Sequence, residues 1–200
     1  MRSRGVAWQG AAAGASMAAM ADTDPQRVVP IDSRPLILTA MLESGVQARF
    51  EALRRAHYPA ELNRVPAHVS MFHHLPGREL EAVKRRLKAV CGQVAPPVVD
   101  VTGLKSLGKG VAFRLRAPLL EDVRAELADG WDTLLIPQDS AGFQPHVTVQ
   151  NKVTSAAAKA TFDALTAAFA PFSTRSPGIA IWRYCDGPWE PLGQVAFRGR

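Results

Sequence analysis

From residue 34 onward the chain alternates between short apolar runs and longer amphipathic stretches. The run 34–42, RPLILTAML, is opened by Pro35 and predicts a strand. Over 45–59, Val46, Phe50 and Leu53 recur at helical spacing until Pro59 stops the pattern. Residues 67–72 form a second short strand-like run after Pro66. Leu80, Val83, Leu87 and Val90 then share one face of an amphipathic helix over 77–92, with Gly92 as its stop. Segments 97–104 and 110–117 predict two strands joined by a Gly/Lys turn, followed by a helix over 119–131. A loop rich in Pro, Asp, Ser and Gly (137–142) leads to the apolar run at 145–151, and an Ala-rich helix over 155–170 leads to strands over 178–185 and 190–199.

One phrase occurs twice in this series. Residues 67–71 read AHVSM and residues 145–149 read PHVTV, which places His68 and His146 78 positions apart. Each phrase is followed by helix, strand, turn and strand. The triplet VAF recurs at 111–113 and 195–197, an offset of 84 that six extra loop residues reconcile with the first. Element order, phrase and triplet together predict an internal duplication whose two copies face each other.

On a strand, alternate side chains point to opposite faces. His68 and Ser70 therefore share a face, as do His146 and Thr148, while Val69, Met71, Val147 and Val149 anchor the other face in a core. By the same parity Phe72, Gln150 and Lys152 extend the polar face, although Phe72 reads equally well as core. Either histidine alone would read as a buried residue satisfied by backbone; the matched pair reads as a site. Two imidazoles can give and take a proton near neutral pH, and two hydroxyls can hold the non-bridging oxygens of a phosphodiester between them.

These residues carry a family resemblance. AHVSM and PHVTV, with the helix and strand pair after each, resemble the two signature motifs of the 2H phosphoesterases, and among them the bacterial 2′–5′ RNA ligase or RNA 2′,3′-cyclic phosphodiesterase group. The resemblance covers roughly residues 35–198. It implies a bilobal α+β fold, with antiparallel sheets lining a central cleft and helices outside. It implies a proton donor at His68, an acceptor at His146, and phosphate binding by Ser70 and Thr148. The first motif carries Ser where Thr is common, and the following MFHHLPG departs from the usual apolar run.

Composition narrows the picture further. The net charge is +6 and the pI near 9.8, a balance that favours polyanionic partners such as nucleotides or RNA. Arg64, Lys105, Arg114, Arg116, Lys152 and Arg183 flank the strands, with Phe143, Trp182, Tyr184 and Trp189 as aromatic neighbours able to stack a base. His73 and His74 have mixed parity and no carboxylate or cysteine cluster beside them, so neither a metal nor another cofactor is expected. His57 reads as a surface residue at a helix end. The stretch GLKSLGKG (103–110) nearly spells a phosphate loop. It has Gly110 where the magnesium-binding hydroxyl belongs and a strand follows, so it reads as a turn from which Lys105 or Lys109 could still reach phosphate.

Only Cys91 and Cys185 are present, which fits a reducing, cytoplasmic setting rather than a disulfide framework. Residues 1–26 are Ala/Gly-rich with a poor apolar centre, so a disordered extension is expected ahead of a single domain over 27–200, with translation starting at Met17 or Met20. The expected protein is a monomeric, metal-independent phosphodiesterase that opens 2′,3′-cyclic phosphates at RNA ends or on nucleotides, or joins 2′–5′ linkages in reverse. The alternatives are an enzyme for another small cyclic or 2′–5′ linked nucleotide, and an RNA- or nucleotide-binding module whose catalysis has decayed.

Overall fold

The computed structural model describes residues 32–199. The expected extension over 1–26 lies outside the described residues. Eight strands and five α-helices follow in the order β1 (Leu36–Ala40), α1 (Ser44–His57), β2 (Val69–Leu75), α2 (Leu80–Gln93), β3 (Val98–Ser106), β4 (Val111–Arg116), α3 (Pro118–Asp129), α4 (Pro137–Ser140), β5 (His146–Gln150), α5 (Ser155–Ala167), β6 (Phe172–Arg175), β7 (Gly178–Tyr184) and β8 (Trp189–Ala196). Local chemistry sets several of these bounds. Pro118 occupies the first turn of α3, where its missing N–H costs nothing. The Thr154 hydroxyl accepts the Ala157 amide and caps α5.

The strands make two four-stranded antiparallel sheets, in the orders β2-β1-β7-β8 and β5-β4-β3-β6. The fold is α+β, as the family resemblance implies. Both sheets repeat one layout. A His-phrase strand lies at the edge, and beside it lies the strand that reaches it through a helix: β1-α1-β2 in one sheet, β4-α3-β5 in the other. The chain then crosses over. After β2 it passes through α2 into the second sheet as β3, and after β5 it returns through α5 and β6 to the first sheet as β7.

This layout corrects the repeat read from the VAF triplets. Residues 111–113 lie on β4, flanked by β3 and β5, whereas Val195 and Ala196 lie on the edge strand β8. By sheet position β4 corresponds to β1, so the triplets are not equivalent. Strand β6 also escaped the pattern, because its four residues, Phe-Ser-Thr-Arg, are too short and too polar to stand out.

One contiguous apolar core joins the sheets and helices. Leu38, Phe50, Val69, Leu87, Val111, Leu120, Val147 and Ile179 are all fully buried within it. Helix α1 packs on β5 and α4 packs on β2, so each His strand is braced by an element from the other half of the chain. The near-phosphate-loop stretch is the β3–β4 hairpin turn. The Leu107 amide bonds the Gly110 carbonyl at 2.9 Å, and Gly108 takes the left-handed conformation at φ +76°. Gly110 also lets β4 pass the end of β5, since a Cβ there would collide with the Gln150 carbonyl.

Candidate functional site

The two His phrases run into neighbouring strands, β2 and β5, which touch each other between the sheets. The alternation within each phrase is the expected one. Ala67, Val69 and Met71 are buried while His68 and Ser70 are half-buried; Pro145, Val147 and Val149 are buried while His146 and Thr148 are half-buried. The apolar sides hold the strands, and the polar sides are left at the cleft.

Both imidazoles are held in the same way. His68 Nδ1 lies 2.7 Å from the Pro66 carbonyl oxygen, and His146 Nδ1 lies 2.9 Å from the Gln144 carbonyl oxygen. A carbonyl only accepts, so in each ring Nδ1 carries the proton and donates it two residues back. Nε2 is left in both as the nitrogen able to exchange a proton. Burial pushes His68 down to about 4; the Pro66 carbonyl opposes this, while the positive charge of Arg54 and the other imidazoles adds to it. Near neutral pH His68 is therefore uncharged. Trp189 lies against its ring, centroid to centroid 4.6 Å, and Trp182 lies behind Trp189 at 6.0 Å.

Each His strand bulges at the same place. On β2 the pairing steps from Thr39–Ser70 to Leu38–Phe72, and on β5 from Ala112–Thr148 to Val111–Gln150. One extra residue after the hydroxyl reverses the parity of the positions beyond it. This places Phe72 elsewhere than strand alternation predicts: it is fully buried, edge-on to Trp131 at 5.2 Å, rather than on the cleft wall. Gln150 likewise turns inward and donates to the Thr161 hydroxyl of α5 at 2.9 Å. Lys152 lies beyond the end of β5 in a left-handed turn (φ 60°), exposed, where strand parity no longer applies. Ser70 and His146 thus line one cavity, His68 lies within reach of the charge on His146, and Phe72 and Lys152 lie outside that cavity.

The bulge on β2 puts His73 where Phe72 was expected. His73 lines a cavity of about 330 Å³ with Ser70, Arg124, Gln144 and His146. Its Nδ1 lies 2.8 Å from Asp139 Oδ1, and Asp139 also accepts the backbone amides of His73 and His74. Burial alone would push the Asp139 carboxyl up, but the His73 ring and these amides hold it below the usual carboxylate range. Sequence parity set His73 aside; the signal that could have found it is an acidic residue in the Pro-rich loop just ahead of the second phrase.

The flanks of the cleft differ in character. On the His146 side a cavity of about 390 Å³ is lined by Lys105, Arg114, Thr102, Gln144 and Glu121. Arg114 is the register partner of His146, and Glu121 accepts the Ala117 amide at the start of α3. On the His68 side a cavity of about 330 Å³ is mostly apolar, lined by Thr39, Ala40, Pro66, Ala67, Trp182 and Gln194. Trp182 Nε1 donates to the Thr39 hydroxyl at 2.9 Å, which fixes that wall. Arg183 is engaged elsewhere, with Asp32 and Glu190, and Lys109 is exposed in the hairpin turn. Among the described residues no group of three or more His, Cys, Asp or Glu is placed to hold a metal ion, and no helix is long and apolar enough to cross a membrane.

A family model described as the 2′-5′ RNA ligase superfamily matches residues 42–188. Among solved structures, TT0787 of Thermus thermophilus is similar at 19% identity and a TM-score of 0.61, covering 83% of this chain and 99% of its own. E. coli LigT complexed with 3′-AMP is similar at 17% identity and a TM-score of 0.52, with the same coverage. LigT complexed with NADP+ is similar at 16% identity and a TM-score of 0.51, covering 84% of this chain and 99% of its own. At such identities the likeness shows the fold. A comparison with curated proteins found no match.

Proposed function

The chain belongs to the 2′-5′ RNA ligase superfamily, and from that premise we propose that it is a metal-independent phosphodiesterase acting on 2′,3′-cyclic phosphates at RNA ends or on nucleotides. The observation that carries this reading is the pair of imidazoles. Both have Nδ1 committed to a backbone carbonyl and Nε2 free, on adjoining strands, each with a hydroxyl on its own face. Such a pair suits in-line displacement at phosphorus, with one ring taking a proton and the other giving one.

In the proposed step, Ser70 and Thr148 hold the non-bridging oxygens. His146 Nε2 takes a proton as water attacks phosphorus. The bond from phosphorus to one ribose oxygen breaks, and His68 Nε2–H protonates that oxygen, leaving a ribose monophosphate with one hydroxyl freed. With a ribose hydroxyl in place of water, the same atoms run the ligation that forms a 2′–5′ linkage. Burial of His68 favours a second assignment, in which His68 is the base and His146 the acid. In the first assignment His68 gains its proton only once the phosphate's negative charge has entered the cleft.

The flanks support the substrate class. Trp189 and Trp182 offer stacking surfaces on the His68 side, while Lys105 and Arg114 offer positive charge on the His146 side. A nucleoside next to the tryptophans and further phosphates next to the basic residues fit this arrangement. LigT, the structural neighbour, is complexed with 3′-AMP and with NADP+ in its crystals, which is consistent with a nucleotide-sized occupant.

The test is a screen of 2′,3′-cyclic, 3′,5′-cyclic and 2′–5′ linked substrates with the wild type, His68→Ala and His146→Ala, with and without a chelator. Turnover of a 2′,3′-cyclic phosphate that survives chelation and falls in both variants is expected. Binding of nucleotides without turnover of any of them would move the assignment to a binding module.

A further inference from the structure

We propose that His73, held by Asp139, is a third imidazole of the site and contacts a non-bridging oxygen of the bound phosphate through Nε2. The proposal rests on the phosphodiester reading of the cleft and adds a binding residue to it.

Three observations carry the proposal. The first is placement. The β2 bulge sends Phe72 into the core and turns His73 outward, onto the cavity it shares with Ser70, Gln144 and His146.

The second is fixation. The Asp139 carboxylate is only 1% exposed and takes the His73 ring at 2.8 Å, the His73 amide at 2.9 Å and the His74 amide at 3.0 Å. The carboxylate thus serves two of the bulged strand's amides and orients the ring at the same time. A carboxylate held by three donors has little freedom to turn, so neither does the ring. Nδ1 is committed to Asp139, and Nε2 is the ring's free nitrogen.

The third is the balance of charge. Both buried arginines near the phrases are committed to other groups. Arg54 donates to the Asn63 side chain and to the Thr148 and Val65 carbonyls; Arg124 donates to the Met71 and Asp139 carbonyls. Lys105 and Arg114 line the adjoining cavity beyond His146. An anionic phosphate at Ser70 is therefore met on the β2 side by His73, with the Arg124 guanidinium lining the same cavity from α3. With phosphate bound, the ring lies between two anionic oxygen groups, its own carboxylate and the substrate, and donates to one from each nitrogen. Its Nε2–H is then a charge-assisted donor.

The experiment titrates the full chain with inorganic phosphate and with a nucleoside 2′-monophosphate by calorimetry, in the wild type, His73→Ala and His73→Gln. Glutamine places an amide nitrogen near the position of Nε2 without the charge. A loss of affinity of about ten-fold or more is expected in His73→Ala, with part of it recovered in His73→Gln. For a 2′,3′-cyclic phosphate, KM should rise by a larger factor than kcat falls, the reverse of the pattern for His68→Ala. The thermal midpoint should fall by a similar modest amount in both variants, because the buried Asp139 carboxylate loses its ring donor in each and keeps the two backbone amides.

Phosphate affinity within two-fold of the wild type in both variants would overturn the proposal. So would weakening of equal size in both variants, following the thermal midpoint and not recovered by glutamine. Should His73→Ala fail to fold, His73→Gln decides alone, by whether it binds phosphate more weakly than the wild type. Turnover that depends on His68 and His146 but not on His73 would sink this inference and leave the functional reading intact. His73-dependent phosphate binding with no phosphodiester turnover would do the opposite.

Discussion

Arg54 of α1 donates from Nη1 to the backbone carbonyl of Thr148 at 2.8 Å, so a helix attached to the first His phrase holds the strand of the second. The relation is reciprocal. Arg124 of α3, the helix that precedes the second phrase, reaches the Met71 carbonyl on β2. Both side chains are almost fully buried, Arg54 at 2% exposure and Arg124 at 8%, and burial lowers the pKa of each. Each also lies over an aromatic ring, Arg54 over Tyr58 at 4.4 Å and Arg124 over Phe72 at 4.7 Å. A fixed fork of donors satisfies several carbonyls at once, which a lysine cannot do.

The first prediction comes from these contacts. Arg54→Met leaves the Thr148 and Val65 carbonyls without their donor in the core. The expected cost is about 2–4 kcal/mol, from roughly 1–3 kcal/mol for each buried group left unpaired. Because Thr148 shares the loosened strand with His146, kcat should fall as well. Arg54→Lys should recover only part of either. Chemical unfolding and steady-state kinetics read both; a methionine variant as stable and as active as the wild type would remove Arg54 from this role.

The second prediction treats the two histidines as one unit. His68→Ala and His146→Ala should each cost on the order of 10²–10⁴ in kcat. The double variant should cost less than the product of the two, because each ring needs the other for one step. A substrate with an activated leaving group needs little protonation, so it should rescue the variant of the acid and not that of the base. Rescue of His68→Ala supports the donor at His68. Rescue of His146→Ala supports the reversed roles that burial of His68 favours. Full activity in either alanine variant would make the paired phrases structural.

The third prediction concerns pH and stability. His68 is held at about 4 in the fold, mainly by burial, against an ordinary value of 6.5. Between these values the unfolded chain binds the proton and the folded chain does not. This contribution to stability is therefore present above about 6.5 and is lost as pH falls through about 4. The most it can contribute is about 3–3.5 kcal/mol. Asp139, held below its ordinary value, acts in the same sense at still lower pH, since its contribution goes as its carboxylate is protonated. His68→Gln should flatten the dependence of unfolding free energy on pH between about 4 and 6.5. An unchanged slope would mean that His68 takes up its proton in the fold as readily as in the unfolded chain.

The order of helices and strands and the two phrases were legible because they rest on local signals, and the α+β fold followed from the resemblance those phrases carry. Period-2 alternation in AHVSM and PHVTV is visible in five residues. The features that were not legible depend on non-local pairing. The bulges after Ser70 and Thr148 appear only when β2 is laid against β1 and β5 against β4, so parity misplaced Phe72 and Gln150. The partnership of His73 with Asp139 spans 66 residues and joins an edge strand to a four-residue helix, so no periodicity announces it. The same holds for Arg54 and Arg124, whose partners at Thr148 and Met71 lie 94 and 53 residues away. The VAF triplets misled because three residues carry no information about which strand flanks which.

The last prediction comes from the unlike flanks of the cleft. Lys105 and Arg114 line the cavity beside His146, while the indole of Trp189 lies 4.6 Å from the His68 ring. If the terminal base stacks on the tryptophan side and the rest of an RNA chain crosses the basic side, the two flanks should report on different parts of the substrate. Neutralising about two phosphates of a single strand gives a slope near −1.4 in the logarithm of affinity against the logarithm of salt concentration. That slope is expected in kcat/KM for a short oligoribonucleotide ending in a 2′,3′-cyclic phosphate, and should be much shallower for a nucleoside 2′,3′-cyclic phosphate. Lys105→Ala with Arg114→Ala should flatten the oligonucleotide slope and cost the mononucleotide less. Trp189→Ala should cost both substrates alike, by roughly the 1–3 kcal/mol of one stacked base. Equal salt slopes for the two substrates would show that no phosphate beyond the reacting one meets the basic flank. A tryptophan variant that loses only the oligonucleotide would instead place the chain's continuation, rather than its terminal base, on the tryptophan side.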